Sequence, residues 1–165
     1  MNLNKKSRIA ALVASAMAMW ALSAAANAAP PNAEILAFAC AGCHGTDGAS
    51  AGDAMPSLAR QSEVAIVDAM MKFKSGERSS TIMGRLAKGY SDEQIKAMAG
   101  FFAKQQLHAT SQTVDKAKVA RGAKIQEKAC GRCHIEKGRD GKDETPVMAS
   151  QWLPYLQMQM ALYDA

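Results

Sequence analysis

All four cysteines of this 165-residue chain fall in two copies of one pattern, "CAGCH" (Cys40, Cys43, His44) and "CGRCH" (Cys130, Cys133, His134). Two of its three histidines directly follow those cysteines. Two thiols three residues apart on a helical turn can each form a thioether to one vinyl group of a haem. The next residue then projects its imidazole at the iron from the same side, so Cys-x-x-Cys-His is the signature of c-type haem attachment. Zinc ribbons also pair Cys-x-x-Cys units, but typically about 15–20 residues apart. Here 86 residues separate the pairs, and zinc would not explain both histidines. A thioredoxin-like redox motif needs a βαβ setting that this chain lacks. Structural disulfides, open to an exported chain, would again leave the histidines as coincidence. The expectation is two covalently attached c-type haems.

The front of the chain bears on compartment. "MNLNKKSR" carries Lys5, Lys6 and Arg8 before an apolar, Ala-rich run, and Ala26-Asn27-Ala28 fits a small-x-small cleavage site. This predicts a cleavable secretory signal peptide over 1–28 and a periplasmic protein. The apolar run is short for a membrane span, so no span is expected after cleavage. Removing 1–28 takes away three basic residues and no acidic one, leaving 137 residues and lowering the formal charge from +5 to +2. The basic balance therefore says little about partners. No basic run or interleaved aromatic stretch supports nucleic-acid binding.

The motifs belong to an internal repeat with an offset of 90 residues and no gap. It pairs Ala33 with Ala123, Ile35 with Ile125, and each motif residue with its counterpart. It continues through Gly48/Gly138, Asp53/Asp143, Pro56/Pro146, Ala59/Ala149 and Gln61/Gln151. Two homologous domains follow, 29–107 and 114–165, with 108–113 as a polar linker. The linker holds the third histidine, His108, which reads better as solvated than as a ligand.

The elements that must position these residues read as helices, with no strand alternation. Asn32 can cap a helix from Ala33 into the first motif. Ser62 and Gly76 bound a second helix, with Ile66, Met70 and Phe73 on one face. Ser91 to Gln94 forms a capping box opening a third, with Ile95, Met98, Ala99 and Phe102 on one face. Val114–Ala129 repeats the leading helix, and "LPYLQMQMALY" the middle one. The fold class is all-α, two tandem small c-type cytochrome domains. Pro56 and Pro146 each lie 12 residues past a motif histidine. In small c-type cytochromes a proline carbonyl near this place accepts the histidine Nδ1–H and fixes the ligand's orientation.

The distal ligand is a choice among methionines. Met70, Met71 and Met98 lie in predicted helices, where packing is the better reading, and Met55 lies on the proximal side. Met83 sits in "SSTIMGRLAKGYS", which reads as a loop between two helices that could lay a thioether across the open haem face. His/Met ligation suits electron transfer. The repeat places the second distal methionine at position 173, beyond Ala165. Met148 and Met160 pair with core positions, and Met158 sits on a helix. A counterpart of the Ser91–Gln106 helix is missing too, so the second domain is expected to be incomplete as given, a chain continuing past Ala165 being the simpler account.

"FKSGERSSTIMGRLAKGYSDEQIKAMAGFFAKQQ", with "CAGCHGTDG" before it and "ASQWLPYLQMQM" after the second motif, resembles the dihaem cytochrome subunit of flavocytochrome c sulfide dehydrogenase. The resemblance implies haem binding by Cys40, Cys43 and His44 with Met83, and by Cys130, Cys133 and His134. In that family a methionine beyond this chain's end completes the second haem. It also implies a partner subunit that holds FAD and oxidises sulfide, and a soluble periplasmic electron acceptor. The chain's own residues offer no catalytic constellation, so its expected role is that of a non-catalytic electron-transfer subunit. The alternative is a free two-haem carrier feeding a terminal oxidase. Trp152, Tyr155 and Tyr163 could line a partner interface or bury against a haem. Lys72, Lys74, Arg78, Arg85 and Lys88 could steer an acidic partner, though a solvated face is the plainer reading.

Overall fold

The computed structural model describes residues 32–140 and 143–163, so the expected signal peptide lies outside the described residues. Contacts gather Asn32–Ala165 into one compact unit. The described residues contain no strand, and no helix among them is long and apolar enough to cross a membrane.

The first repeat is built from α1 (Ala33–Phe38), α2 (Ala41–His44), α3 (Glu63–Ser75), α4 (Met83–Ala87) and α5 (Asp92–Ala103). Each boundary has a local cause. The Asn32 carboxamide oxygen accepts the Glu34 and Ile35 N–H groups at the start of α1. Ser62 Oγ accepts the Ala65 N–H to open α3, which ends on Gly76 at φ +89°. A side chain there would be strained, so glycine stops the helix. Ser91 and Gln94 form the capping box of α5. Lys74 Nζ then ties the end of α3 to the start of α5, donating to the Tyr90 carbonyl and to Asp92 Oδ1, each at 2.8 Å.

α1 packs on α5, and α3 packs on both α4 and α5. Ala37, Ile66, Ala99 and Phe102 form the centre of this contact, with Cys40, Leu58, Val67, Met70 and Phe101 packed against it. Alanines on both α1 and α5 let the two backbones approach closely. Ile95, Met98, Ala99 and Phe102, the predicted face of α5, are all buried. Burying each of the larger ones contributes about 1.5–3 kcal/mol.

The second repeat opens with α6 (Lys116–Ile125), capped by Asp115. It does not run unbroken into the motif, because a π-helical turn spans Gln126–Cys130 and Gly131 N–H donates to the Gln126 carbonyl at 2.6 Å. Ile135–Gly138 follows, with Glu136 and Lys137 in left-handed conformations at φ +50° and +59°. The last described helix, α7, is Leu153–Tyr163. One expectation is corrected here. Met160, paired by the repeat with a core position, is 61 % exposed, because no described element packs over that face of α7.

Candidate functional site

His44 ends α2 and is buried. Its Nδ1 lies 2.8 Å from the Pro56 carbonyl oxygen. A carbonyl can only accept, so Nδ1 carries the proton and Nε2 keeps the lone pair that a metal would take. Burial lowers the His44 pKa, partly opposed by the bond to Pro56, which keeps the ring neutral and ligand-competent. His134 makes the same hydrogen bond from a half-buried ring, with Nδ1 2.9 Å from the Pro146 carbonyl oxygen.

A common backbone clasp brings each proline back to its histidine. The Gly48 carbonyl accepts the Leu58 and Ala59 N–H groups at 2.7 and 3.1 Å. The Gly138 carbonyl accepts those of Met148 and Ala149 at 2.9 and 2.8 Å. Gly48 and Gly138 take left-handed φ values of +79° and +78°, and the repeat partners Arg60 and Ser150 do so at +60° and +65°. Both loops are therefore closed by the same clasp, with matching left-handed residues at Gly48/Gly138 and Arg60/Ser150, while Glu136, Lys137 and Asp143 take positive φ values that their partners in the first repeat do not.

The four cysteines are all free thiols. Cys40 is half-buried against the first-repeat core. Its pKa is raised by that burial and further by the neighbouring Cys43 sulfur. Among the described residues no three or more His, Cys, Asp or Glu side chains converge to hold a bare metal ion. The donor set fits haem instead: two unpaired thiols beside an imidazole whose outer nitrogen is hydrogen-bonded, twice over.

Met83 is half-buried. It is the first residue of α4 rather than part of a loop. Ser80 Oγ accepts the Gly84 N–H at 2.8 Å and satisfies the first turn of α4 in place of a side-chain cap at Ile82. Met70 and Met98 contribute to packing. His108 is exposed. Of the five basic residues near Met83, Lys72 pairs with Asp68 and Lys74 with Asp92. Arg78 lies over the Phe73 ring at 4.8 Å and donates to Gln159 of α7 at 2.7 Å. Only Arg85 and Lys88 are left exposed and without such a contact here.

The repeats meet along a polar seam that the sequence did not reveal. Gln61 and Gln151, noted only as repeat partners, each reach into the opposite repeat, to Val147 and Ser57 respectively. Trp152 Nε1 donates to the Ser50 carbonyl at 2.8 Å. Ser62 Oγ donates to the Asp143 carbonyl at 2.9 Å. The available signal was a pair of identical amide side chains one repeat apart, adjacent to a core that has no apolar reason to hold them.

Comparison with known proteins bears on the family and the fold. Residues 32–106 match the cytochrome c family. The chain is 33 % identical over 148 residues to cytochrome c4 of Pseudomonas aeruginosa, covering 86 % of this chain and 69 % of that one. It is 51 % identical over 69 residues to the cytochrome subunit of sulfide dehydrogenase of Chlorobaculum tepidum, covering 42 % of this chain. That match spans 62 % of the relative's length. In fold the chain is similar to reduced cytochrome c4 from Pseudomonas stutzeri, with a TM-score of 0.69 at 23 % identity over 81 % of this chain and 80 % of that one. Fold and paired motifs define an electron carrier with two covalently attached c-type haems. The chain belongs to the cytochrome c family.

Proposed function

We propose that this chain is the periplasmic electron-transfer subunit of a sulfide-oxidising flavocytochrome, taking electrons from an FAD-containing partner and passing them to a soluble acceptor. The observation that carries the reading is the 51 % identity to a sulfide dehydrogenase cytochrome subunit. Haem supplies a one-electron couple. In this assignment Cys40, Cys43, Cys130 and Cys133 would anchor the two groups through thioethers. His44 and His134 would offer Nε2 to iron, with the Pro56 and Pro146 carbonyls holding those rings in place. Met83 would supply a thioether sulfur to the iron of the first site, which would raise its potential. The first domain spans 29–107 and the second 114–165, joined by 108–113. The export signal at 1–28 fits the same setting, since both motifs are those of covalent haem attachment.

A second reading, the free two-haem carrier feeding a terminal oxidase, is favoured by the match to cytochrome c4 across 86 % of the chain. The two are separated by purifying the protein gently from its source, looking for bound flavin, and adding sulfide anaerobically while following haem reduction. Co-purifying flavoprotein and fast reduction support the sulfide dehydrogenase subunit. Flavin-free protein that sulfide reduces only slowly moves the assignment to the carrier.

A further inference from the structure

Gln61 and Gln151 are one repeat apart, and so are the residues they bind, Ser57 and Val147. Gln151 Oε1 accepts the Ser57 N–H at 2.8 Å while its Nε2 donates to the Ser57 carbonyl at 2.8 Å. Gln61 does the same for Val147, accepting its N–H at 2.9 Å and donating to its carbonyl at 2.8 Å. All four residues are buried, between 3 and 7 % exposed. The peptide unit joining Pro56 to Ser57 is thus held at both ends. Its carbonyl accepts from His44 of its own repeat, and its N–H donates to Gln151 of the other. The unit joining Pro146 to Val147 mirrors it, between His134 and Gln61.

A peptide is conjugated, so an acceptor placed on its N–H moves electron density onto its oxygen and makes that oxygen a stronger acceptor. We propose that Gln151 and Gln61 are positioning residues that tune the histidine ligand of the opposite repeat: Gln151 acts on His44, and Gln61 on His134. The inference rests on His44 and His134 being the iron ligands. A stronger acceptor on Nδ1–H makes the imidazole a more basic donor, which favours ferric iron and lowers the potential. The effect crosses the seam, because each glutamine lies in one repeat and the ligand it reaches lies in the other.

The test is Gln151→Met in the haem-loaded protein, which keeps side-chain length and removes both bonds. Its readouts are a potentiometric titration with the two haems resolved by NMR, and the His44 Nδ1–H proton shift in the reduced state. Losing a cooperative contribution of about 10–30 % from a strong hydrogen bond shifts the one-electron equilibrium of the first haem about twofold toward reduction. At 59 mV per tenfold change this is roughly 20 mV upward. The His44 Nδ1–H signal moves upfield, and the haem on His134 stays in place. Gln61→Met gives the mirror result. Equal shifts of both haems, a shift confined to the variant's own repeat, or an unmoved Nδ1–H signal would overturn the proposal. Should the methionine variant fail to load haem, Gln151→Glu keeps the acceptor oxygen. The first haem must then stay at or below its original potential, and a rise overturns the tuning. Failure of the ligand assignment looks different: His44 ring signals would lack the large haem ring-current shifts in the unaltered protein.

Discussion

Alanine in place of Gly48 and of Gly138 should have clearly unequal costs, although the two glycines occupy equivalent places in the repeat. Both lie near φ +80°, so an alanine at either pays about 1–2 kcal/mol for the left-handed backbone. Restricting the unfolded chain returns about 0.4–1 kcal/mol of that. The surroundings then separate them. A Cβ on Gly48 would lie 2.7 Å from the Ala59 nitrogen and 2.9 Å from Phe102 Cδ1. The first atom belongs to the backbone clasp that carries Pro56 to His44, and the second to a fully buried ring. Neither can yield without disturbing the core, which adds about 1–3 kcal/mol of overpacking. A Cβ on Gly138 would lie 3.3 Å from Met148 Cβ, 3.5 Å from its Cε and 3.6 Å from the Ala149 nitrogen, so the nearest neighbour need give by only a few tenths of an ångström and the clasp nitrogen stays at ordinary contact distance. We expect about 2–4 kcal/mol for Gly48→Ala and about 1 kcal/mol for Gly138→Ala. Denaturant unfolding of the haem-loaded variants, followed by helical circular dichroism and by the haem absorption of each repeat, measures both. Equal losses, or a larger loss at Gly138, would refute the reasoning that local packing rather than backbone conformation sets the difference.

Met83→Ala should leave both haems attached, since no thioether is touched, but remove the iron–thioether absorption of the first site and slow sulfide-dependent haem reduction. Unchanged absorption and transfer would sink the Met83 assignment. Burial raises the Tyr155 pKa above its ordinary value, with the Arg78 charge and hydrogen bond opposing. A raised folded pKa means that the stabilising contribution is complete below about pH 10, the unfolded value, and is lost as pH rises through the folded value. Tyr155→Phe should therefore lose less stability than the parent between neutral pH and strongly alkaline solution. Parallel pH–stability curves for the two proteins would contradict this.

Much of the framework was legible because it is written in short-range chemistry. The Ser62 cap with Gly76, the Ser91–Gln94 box and the four-residue face of α5 depend on neighbours within one or two turns. The haem motifs are legible for the same reason, being five consecutive residues. The 12-residue spacing of proline and histidine was visible too, but the clasp that closes those loops was not. It uses backbone groups and left-handed residues such as Arg60 and Ser150, whose side chains carry no signal of it. Met83 read as loop because it lies between two predicted helices with Gly84 and Gly89 close by, yet the Ser80 hydroxyl serves as the cap of a short helix there. The exposed face of α7 was misread by analogy with α3, whose packing partners α4 and α5 have no described counterpart in the second repeat. The seam escaped because a repeat identifies equivalent positions without saying that equivalents will reach across to each other.

The polar seam has the logic of a two-fold dimer, in which one surface carries both a glutamine and the backbone segment that a second glutamine needs. Two free copies of such a unit would have to find one another by diffusion. The tether between Leu107 and Val114 makes that encounter intramolecular, at an effective concentration on the order of millimolar for a short flexible linker. Contacts far too weak to hold separate molecules together then suffice to keep the halves paired. What the seam supplies is orientation: four directional hydrogen bonds from two glutamines, which set the angle between the two haem-bearing halves and leave cohesion to the chain itself.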